Sequence, residues 1–290
     1  MLIAPSIDGL ARSDASLAAR VRLASSPWRN TWGPWEPSLN SPSWLDDSPV
    51  DSPEGLANVL AERLRPGASI VDADADDLSD GDLRALRLAL PAAMAWHDVF
   101  DGADGERKRG AWVHETAARI HLDRLVGDWL HAFPEPSAWR TLPPAAFPKD
   151  EPLVRETPWG RIAVGTLGDD VYRGEFAVLV DPGGDDRYVG CRIGAADGGR
   201  ERPVGFFLDL GGDDVYACGD TNFTLGAAIL GIAAFYDLGA GNDRYEGGHA
   251  SLGAAMGGVA VFYDDGGTDT YSGKTFTQGA AGFGLALHLD

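Results

Sequence analysis

From residue 159 onward the chain alternates short apolar runs with turns built of Gly and Asp. The runs cover 160–165, 176–181, 205–209, 231–237, 258–264 and 284–290, each rich in Val, Ile, Leu, Phe or Ala and short enough for a strand. The last five end on an aspartate that opens the next turn: Asp181, Asp209, Asp237, Asp264 and Asp290. These stand 28, 28, 27 and 26 residues apart. A fixed period of this size marks a solenoid, in which each repeat is one coil stacked on the last. A smaller element, Gly-Ala-Ala, precedes four of the runs at Gly194, Gly226, Gly253 and Gly279, behind a hydroxyl column of Thr224, Ser251 and Thr277. One coil therefore comprises a small-residue strand where the cross-section is narrow, a larger apolar strand where it is wide, an Asp/Gly turn and a tyrosine.

This pattern predicts a mainly β fold over residues 151–290, a parallel β-solenoid of about five coils. The first coil is shortened, because Tyr172 and Tyr188 are only 16 residues apart. Residues 1–150 follow a helical period instead. Apolar spacing predicts a helix over 7–23, and Ser52, Pro53 and Glu54 read as an N-cap, a first-turn proline and an early acid opening a helix to about residue 65. Three more helices are expected over 79–90, 91–99 and 107–133. A Ser/Pro/Trp-rich run over 26–53 holds Trp28, Trp32, Trp35 and Trp44, and a Pro-rich connector spans 134–158. The helical domain is expected to cap the solenoid, because an open first coil presents unpaired N–H and C=O groups. By the same reasoning, the edge at Asp290 is expected to pair with further chain or another protein.

Charge narrows the partners. The chain carries 44 acidic and 24 basic side chains, a net −20, and residues 151–290 hold 21 acids against 9 bases. Such a surface repels phosphate backbones and anionic lipid, which excludes nucleic acid and membrane surfaces and leaves divalent cations as natural partners. No apolar stretch is long enough to span a bilayer. The first residues lack a signal peptide's basic start and apolar stretch, so the chain is cytoplasmic or begins after a removed leader.

Stacking sets like residues above one another. The aspartates that open the turns form one column. Asp170, Asp186, Asp214, Asp243 and Asp269 form a second; Asp169, Asp185 and Asp213, continued by Asn242 and Thr268, form a third. Two carboxylates about 5 Å apart repel by roughly 3 kcal/mol at an effective dielectric near 20, so the ladder needs neutralising. Backbone N–H groups can supply this, as in Asx turns. Arg187 and Arg244 can serve only their own coils, since their column otherwise reads Val171, Val215 and Thr270. Bound cations are the third route. Turns rich in Gly and Asp suit Ca²⁺, which takes about six to eight oxygens from carboxylates and carbonyls. The expected ligands are Asp170, Asp181, Asp185, Asp186, Asp209, Asp213, Asp214, Asp237, Asp243, Asp264 and Asp269, with capping alone or another metal as alternatives.

One turn, Gly239-Ala-Gly241-Asn-Asp243-Arg-Tyr245, resembles the RTX nonapeptide Gly-Gly-x-Gly-x-Asp-x-apolar-x. Tandem copies of that nonapeptide bind calcium in a parallel β-roll of secreted bacterial proteins. The resemblance implies that Asp243, and by looser match Asp186, Asp214 and Asp269, bind calcium together with turn carbonyls. It is confined to turn chemistry: the other copies are one residue shorter, and the period is not nine residues.

The function expected from these features is a calcium-binding, extracytoplasmic structural, adhesion or assembly module. The alternative is a polysaccharide lyase or hydrolase on a β-helix scaffold, with the insertion 197–202 and His249 as its local candidates. His114-Glu115 begins a zincin spacing that Ala118 breaks, although His114 and His121 lie seven apart on one predicted helix. Cys191 and Cys218 occupy nearly the same place on neighbouring coils, either as a disulfide or as two buried thiols.

Overall fold

Coil after coil, the apolar runs pair in parallel and in register. The structure, a computed structural model, describes residues 16–25, 45, 50–65, 78–95, 104–197 and 202–290. Strands β2 (Gly160–Val164), β4 (Val178–Asp181), β7 (Val204–Asp209), β10 (Ile232–Asp237), β13 (Val259–Asp264) and β16 (Leu285–Leu289) make up one long sheet. Asp181 pairs with Asp209, Asp209 with Asp237, and Asp237 with Asp264. Both faces of this sheet are covered, so its strands read as continuous apolar runs. Leu179, Phe207, Phe235 and Phe262 fill the solenoid interior, while Val180, Phe206, Leu208, Ala234 and Val261 pack outward against the helical segment.

The second side is a five-stranded parallel sheet of β3 (Val171–Phe176), β5 (Arg187–Ile193), β8 (Val215–Cys218), β11 (Arg244–Gly247) and β14 (Thr270–Ser272). The turn tyrosine is thus part of a strand. Tyr172, Tyr188, Tyr216, Tyr245 and Tyr271 stack ring on ring with centroids 5.1, 4.6, 4.6 and 4.9 Å apart. The third side is the expected narrow one, two-residue strands at Ala196–Asp197, Ala228–Ile229, Ala255–Met256 and Ala281–Gly282. Here Ala196, Ala228 and Ala255 meet Ala233 and Ala260 of the long sheet. From β4 to β16 the chain makes four full turns after the shortened first coil.

The first edge of the long sheet is covered by β1 (Leu153–Thr157), which pairs antiparallel with β2 and lies inside the segment expected to be a connector. The tryptophans at 28, 32, 35 and 44 lie outside the described residues.

Among the described residues, five helices of nine residues or more precede the sheets, α1 (Leu17–Ser25), α2 (Pro53–Arg63), α3 (Asp80–Ala95), α4 (Asp104–Ala117) and α5 (Leu122–Ala132), and a single helical turn at Pro136–Trp139 follows them. Ser52 caps α2 by accepting the Gly55 N–H at 3.2 Å, and Ser79 and Asp82 form a reciprocal cap on α3. Two expectations are corrected. The helices expected over 79–90 and 91–99 are one, because α3 continues through Pro91 to Ala95. The helix expected over 107–133 is two. The Arg119 and Ile120 N–H groups bond back three residues, to Thr116 and Ala117, and this tightening ends α4 while Ile120 is buried near Gly257. The helical segment lies along the outer face of the long sheet: Trp129 Nε1 donates to the Ala233 carbonyl at 2.8 Å, and Phe133 and Trp139 stack on Phe206.

Candidate metal centre

In β7 the side chains of Phe207 and Asp209, two residues apart, both point inward, so the aspartate that ends each long strand turns into the solenoid rather than out to solvent. Asp181, Asp186, Asp209, Asp214, Asp237, Asp243 and Asp264 are each 2% exposed or less. They gather with half-buried Asp170 and Asp269 into four groups along the solenoid axis: Asp170, Asp181 and Asp186; Asp186, Asp209 and Asp214; Asp214, Asp237 and Asp243; Asp243, Asp264 and Asp269. Within each group one oxygen from every carboxylate lies within 4.8 Å of the others. Consecutive groups share an aspartate, so nine carboxylates form one continuous column.

The protein's own donors satisfy part of this column. In the second column each Oδ1 accepts the backbone N–H of the equivalent aspartate one coil earlier: Asp186 from Asp170, Asp214 from Asp186, Asp243 from Asp214, and Asp269 from Asp243, at 2.6 to 2.7 Å. In the first column Oδ1 of Asp181 and of Asp209 accepts the N–H two residues on, an Asx turn, at 2.9 Å. Their Oδ2 atoms accept tyrosine hydroxyls, from Tyr172 to Asp181 at 2.5 Å and from Tyr188 to Asp209 at 2.7 Å. Tyr216 donates to Asp237 at 2.6 Å and Tyr271 to Asp264 at 2.7 Å. Tyr245 lies 2.8 Å from both Asp237 and Asp264, yet a phenol has one hydrogen to give.

Three oxygens are left over. Asp214 Oδ2, Asp243 Oδ2 and Asp264 Oδ1 are buried with no hydrogen-bond partner. A buried carboxylate oxygen without a partner is costly, and positive charge or a proton must answer it. Burial, reinforced by the neighbouring carboxylates, raises Asp214 and Asp243 to about 8 and Asp264 to about 7, and burial raises Asp186 to about 6. Burial likewise pushes Asp181, Asp209 and Asp237 above the usual carboxylate range, against the opposing pull of their tyrosine or glycine donors. The tyrosines shift upward too, chiefly through burial, and act as neutral donors. The donor set is all oxygen, with no sulfur or imidazole, so these groups of aspartates are able to hold a hard cation.

The third column is a surface feature. Asp169, Asp185, Asp213 and Asn242 are exposed, and each accepts the backbone N–H of its successor, Asp185, Asp213, Asn242 and Thr268, at 2.9 to 3.2 Å. Asp185 and Asp213 are therefore not in the buried groups. The arginines do not neutralise the turns: Arg244 pairs with Glu246, and Arg187 is exposed.

Other candidates are dispersed. Ser251 Oγ donates to the His249 carbonyl, while His249 Nδ1 meets Thr275 Oγ1 at 2.6 Å, so no serine–imidazole pair forms. Asp197 is held by Arg87 and Arg192, and residues 198–201 lie outside the described residues. His114 and His121 stand on either side of the α4–α5 break, and His114 packs edge-on against Phe283. Sequence reasoning missed the tyrosines as part of the centre. The signal was a phenol, rather than a phenyl ring, seven or eight residues after each aspartate from Asp181 to Asp264. Among the described residues no helix is long and apolar enough to cross a membrane. No family model, no curated protein and no solved structure matches this chain.

Proposed function

We propose that this protein is a calcium-stabilised β-solenoid that serves outside the cytoplasm as a rigid structural, adhesion or assembly module. The observation that carries the reading is the internal carboxylate column with three orphaned buried oxygens. Four divalent ions, one per group, bring eight positive charges to nine carboxylates. Calcium suits the site because it accepts crowded carboxylate ligands in flexible geometry, and sites tuned to extracellular calcium levels are weak enough to form from such turns. The likeness of the turn at 239–245 to the RTX nonapeptide supports the same ion. Burial supports a structural role over a catalytic one: Asp181 and Asp209 are fully enclosed, and a substrate reaches them only if the coil opens.

The test is metal analysis of the purified full chain together with thermal unfolding in millimolar calcium and in chelator. Bound calcium approaching four ions per chain, and a higher midpoint in calcium that chelator abolishes, are the expected results. A metal-free chain whose midpoint ignores calcium would overturn the reading and leave protons as the neutralising charge.

A further inference from the structure

Cys191 and Cys218 lie in the interior of the solenoid, neither exposed, with their sulfurs 3.0 Å apart. We propose that they form a disulfide that ties two successive coils together. The inference does not depend on the ion column.

The local backbone explains why the two sulfurs meet. Tyr188 pairs with Tyr216 and Val189 with Ala217, so in a regular ladder residue 190 would stand opposite Cys218. Gly190 instead takes a left-handed conformation, φ 57°, is exposed, and acts as the extra residue of a bulge. The bulge turns Cys191 inward at the level of Cys218. On the following coil Gly247 stands opposite Cys218, so the pairing is one to one and does not continue along the column. Thr224 Oγ1 donates to the Cys191 carbonyl at 2.8 Å and anchors the bulged strand to the coil that carries Cys218. The neighbouring sulfur and burial raise the Cys191 thiol.

The chemistry is thiol–disulfide exchange with a small-molecule disulfide such as glutathione disulfide. One cysteine thiolate attacks that disulfide, and a mixed disulfide forms as the first glutathione thiolate leaves. The second cysteine thiolate then attacks, the Sγ–Sγ bond forms, and the second glutathione thiolate leaves. The two cysteine protons end on the two glutathione thiols, and two electrons pass to the oxidant. Because both sulfurs are enclosed in the folded coil, the exchange takes place as the coil closes during folding. Disulfides persist in oxidising compartments, so the bond also places the chain's working environment outside a reducing cytosol.

To test this, the full chain is unfolded, reduced, and refolded in calcium with a mixture of glutathione and its disulfide, then unfolded with an alkylating agent present. We expect a mass about 2 Da below the reduced chain with no adduct, and a joined peptide pair containing Cys191 and Cys218. An alkyl or glutathione adduct on either cysteine would overturn the proposal. The chain refolded in reductant should melt on the order of 5–10 °C below the oxidised chain, and C191A/C218A should show no such difference. An equal difference in the double variant, or none in the parent, would also sink it. A chelator response with free thiols defeats only the disulfide; a disulfide without a chelator response defeats only the calcium reading.

Discussion

The backbone N–H of Asp214 donates to Oδ1 of Asp243 at 2.6 Å, while the second oxygen of each carboxylate remains buried without a partner. One half of each side chain thus ties neighbouring coils together, and the other half is left for something the polypeptide does not supply. Asp214 and Asp243 are also the aspartates that the third group shares with its neighbours. Removing either charge perturbs two groups at once.

Asp214→Asn is expected to act with opposite sign in the two conditions. In calcium, the variant loses a bridging ligand and should lose stability by about 3 kcal/mol, as when one partner of a buried charge pair is deleted. In chelator, the amide replaces a carboxyl that is costly to enclose, and the midpoint should rise above that of the parent. Thermal unfolding in both buffers reads the two shifts; a fall in both would indicate that the carboxylate serves only as a cap.

The chelated chain should lose stability as pH rises. Folded Asp186, Asp264, Asp214 and Asp243 titrate at about 6, 7, 8 and 8, all above the unfolded aspartate value near 3.9. Between these limits the native state binds more protons than the unfolded chain at these four groups, so their contribution to stability is fully present near pH 4 and is lost as pH rises through 8. Calcium competes with those protons, so its stabilisation should be small at pH 5 and large at pH 8. Denaturant midpoints across that range, with calcium and with chelator, check both slopes.

Tyr245→Phe keeps the ring in its stack and removes only the hydroxyl. That hydroxyl meets Asp237 and Asp264 at 2.8 Å each, whereas the Tyr188 hydroxyl has one close carboxylate, Asp209 at 2.7 Å. Asp237 and Asp264 keep the Tyr216 and Tyr271 hydroxyls when Tyr245 is lost, whereas Asp209 Oδ2 loses its one close donor with Tyr188. A hydrogen bond to a charged group contributes about 1.5–3 kcal/mol, so Tyr188→Phe should fall near the top of this range and Tyr245→Phe near its bottom. Equal losses from denaturant unfolding would mean that the second tyrosine on each carboxylate does not compensate.

How much of this was legible beforehand differs by element. The 26–28 residue spacing of Asp181, Asp209, Asp237 and Asp264 survives as exact register in the long sheet, because stacking requires equal arc lengths. The tyrosine sheet was hidden because its strands alternate a buried ring with exposed Arg187 or Arg244 and never build an apolar run. Strand β1, Leu153–Thr157, was hidden for a related reason: two of its five residues are exposed and none is fully buried, and pairing with β2 is a long-range choice that local pattern does not encode. Spacing brought the aspartates together but did not reveal which carboxylates turn inward. That follows from the alternation of the strand and separates enclosed Asp214 from exposed Asp213.

The close stacking of the turns rests on glycine, which makes a final test. Gly212 has φ +144°, and a Cβ added there would land on the Gly184 carbonyl of the preceding coil. Gly266 also has positive φ, +100°, but an added Cβ meets nothing within 4 Å. Both alanine variants strain the backbone, by about 1–3 kcal/mol, and only Gly212→Ala also forces two coils apart. Gly266→Ala should therefore fold with a modestly lowered midpoint and retain its calcium response. Gly212→Ala should melt at least 3 kcal/mol lower and lose that response, because widening the gap between coils separates the carboxylates of the group formed by Asp186, Asp209 and Asp214. Matching losses in the two variants would show that backbone strain alone governs the turn, and that the distance between coils is not what assembles the centre.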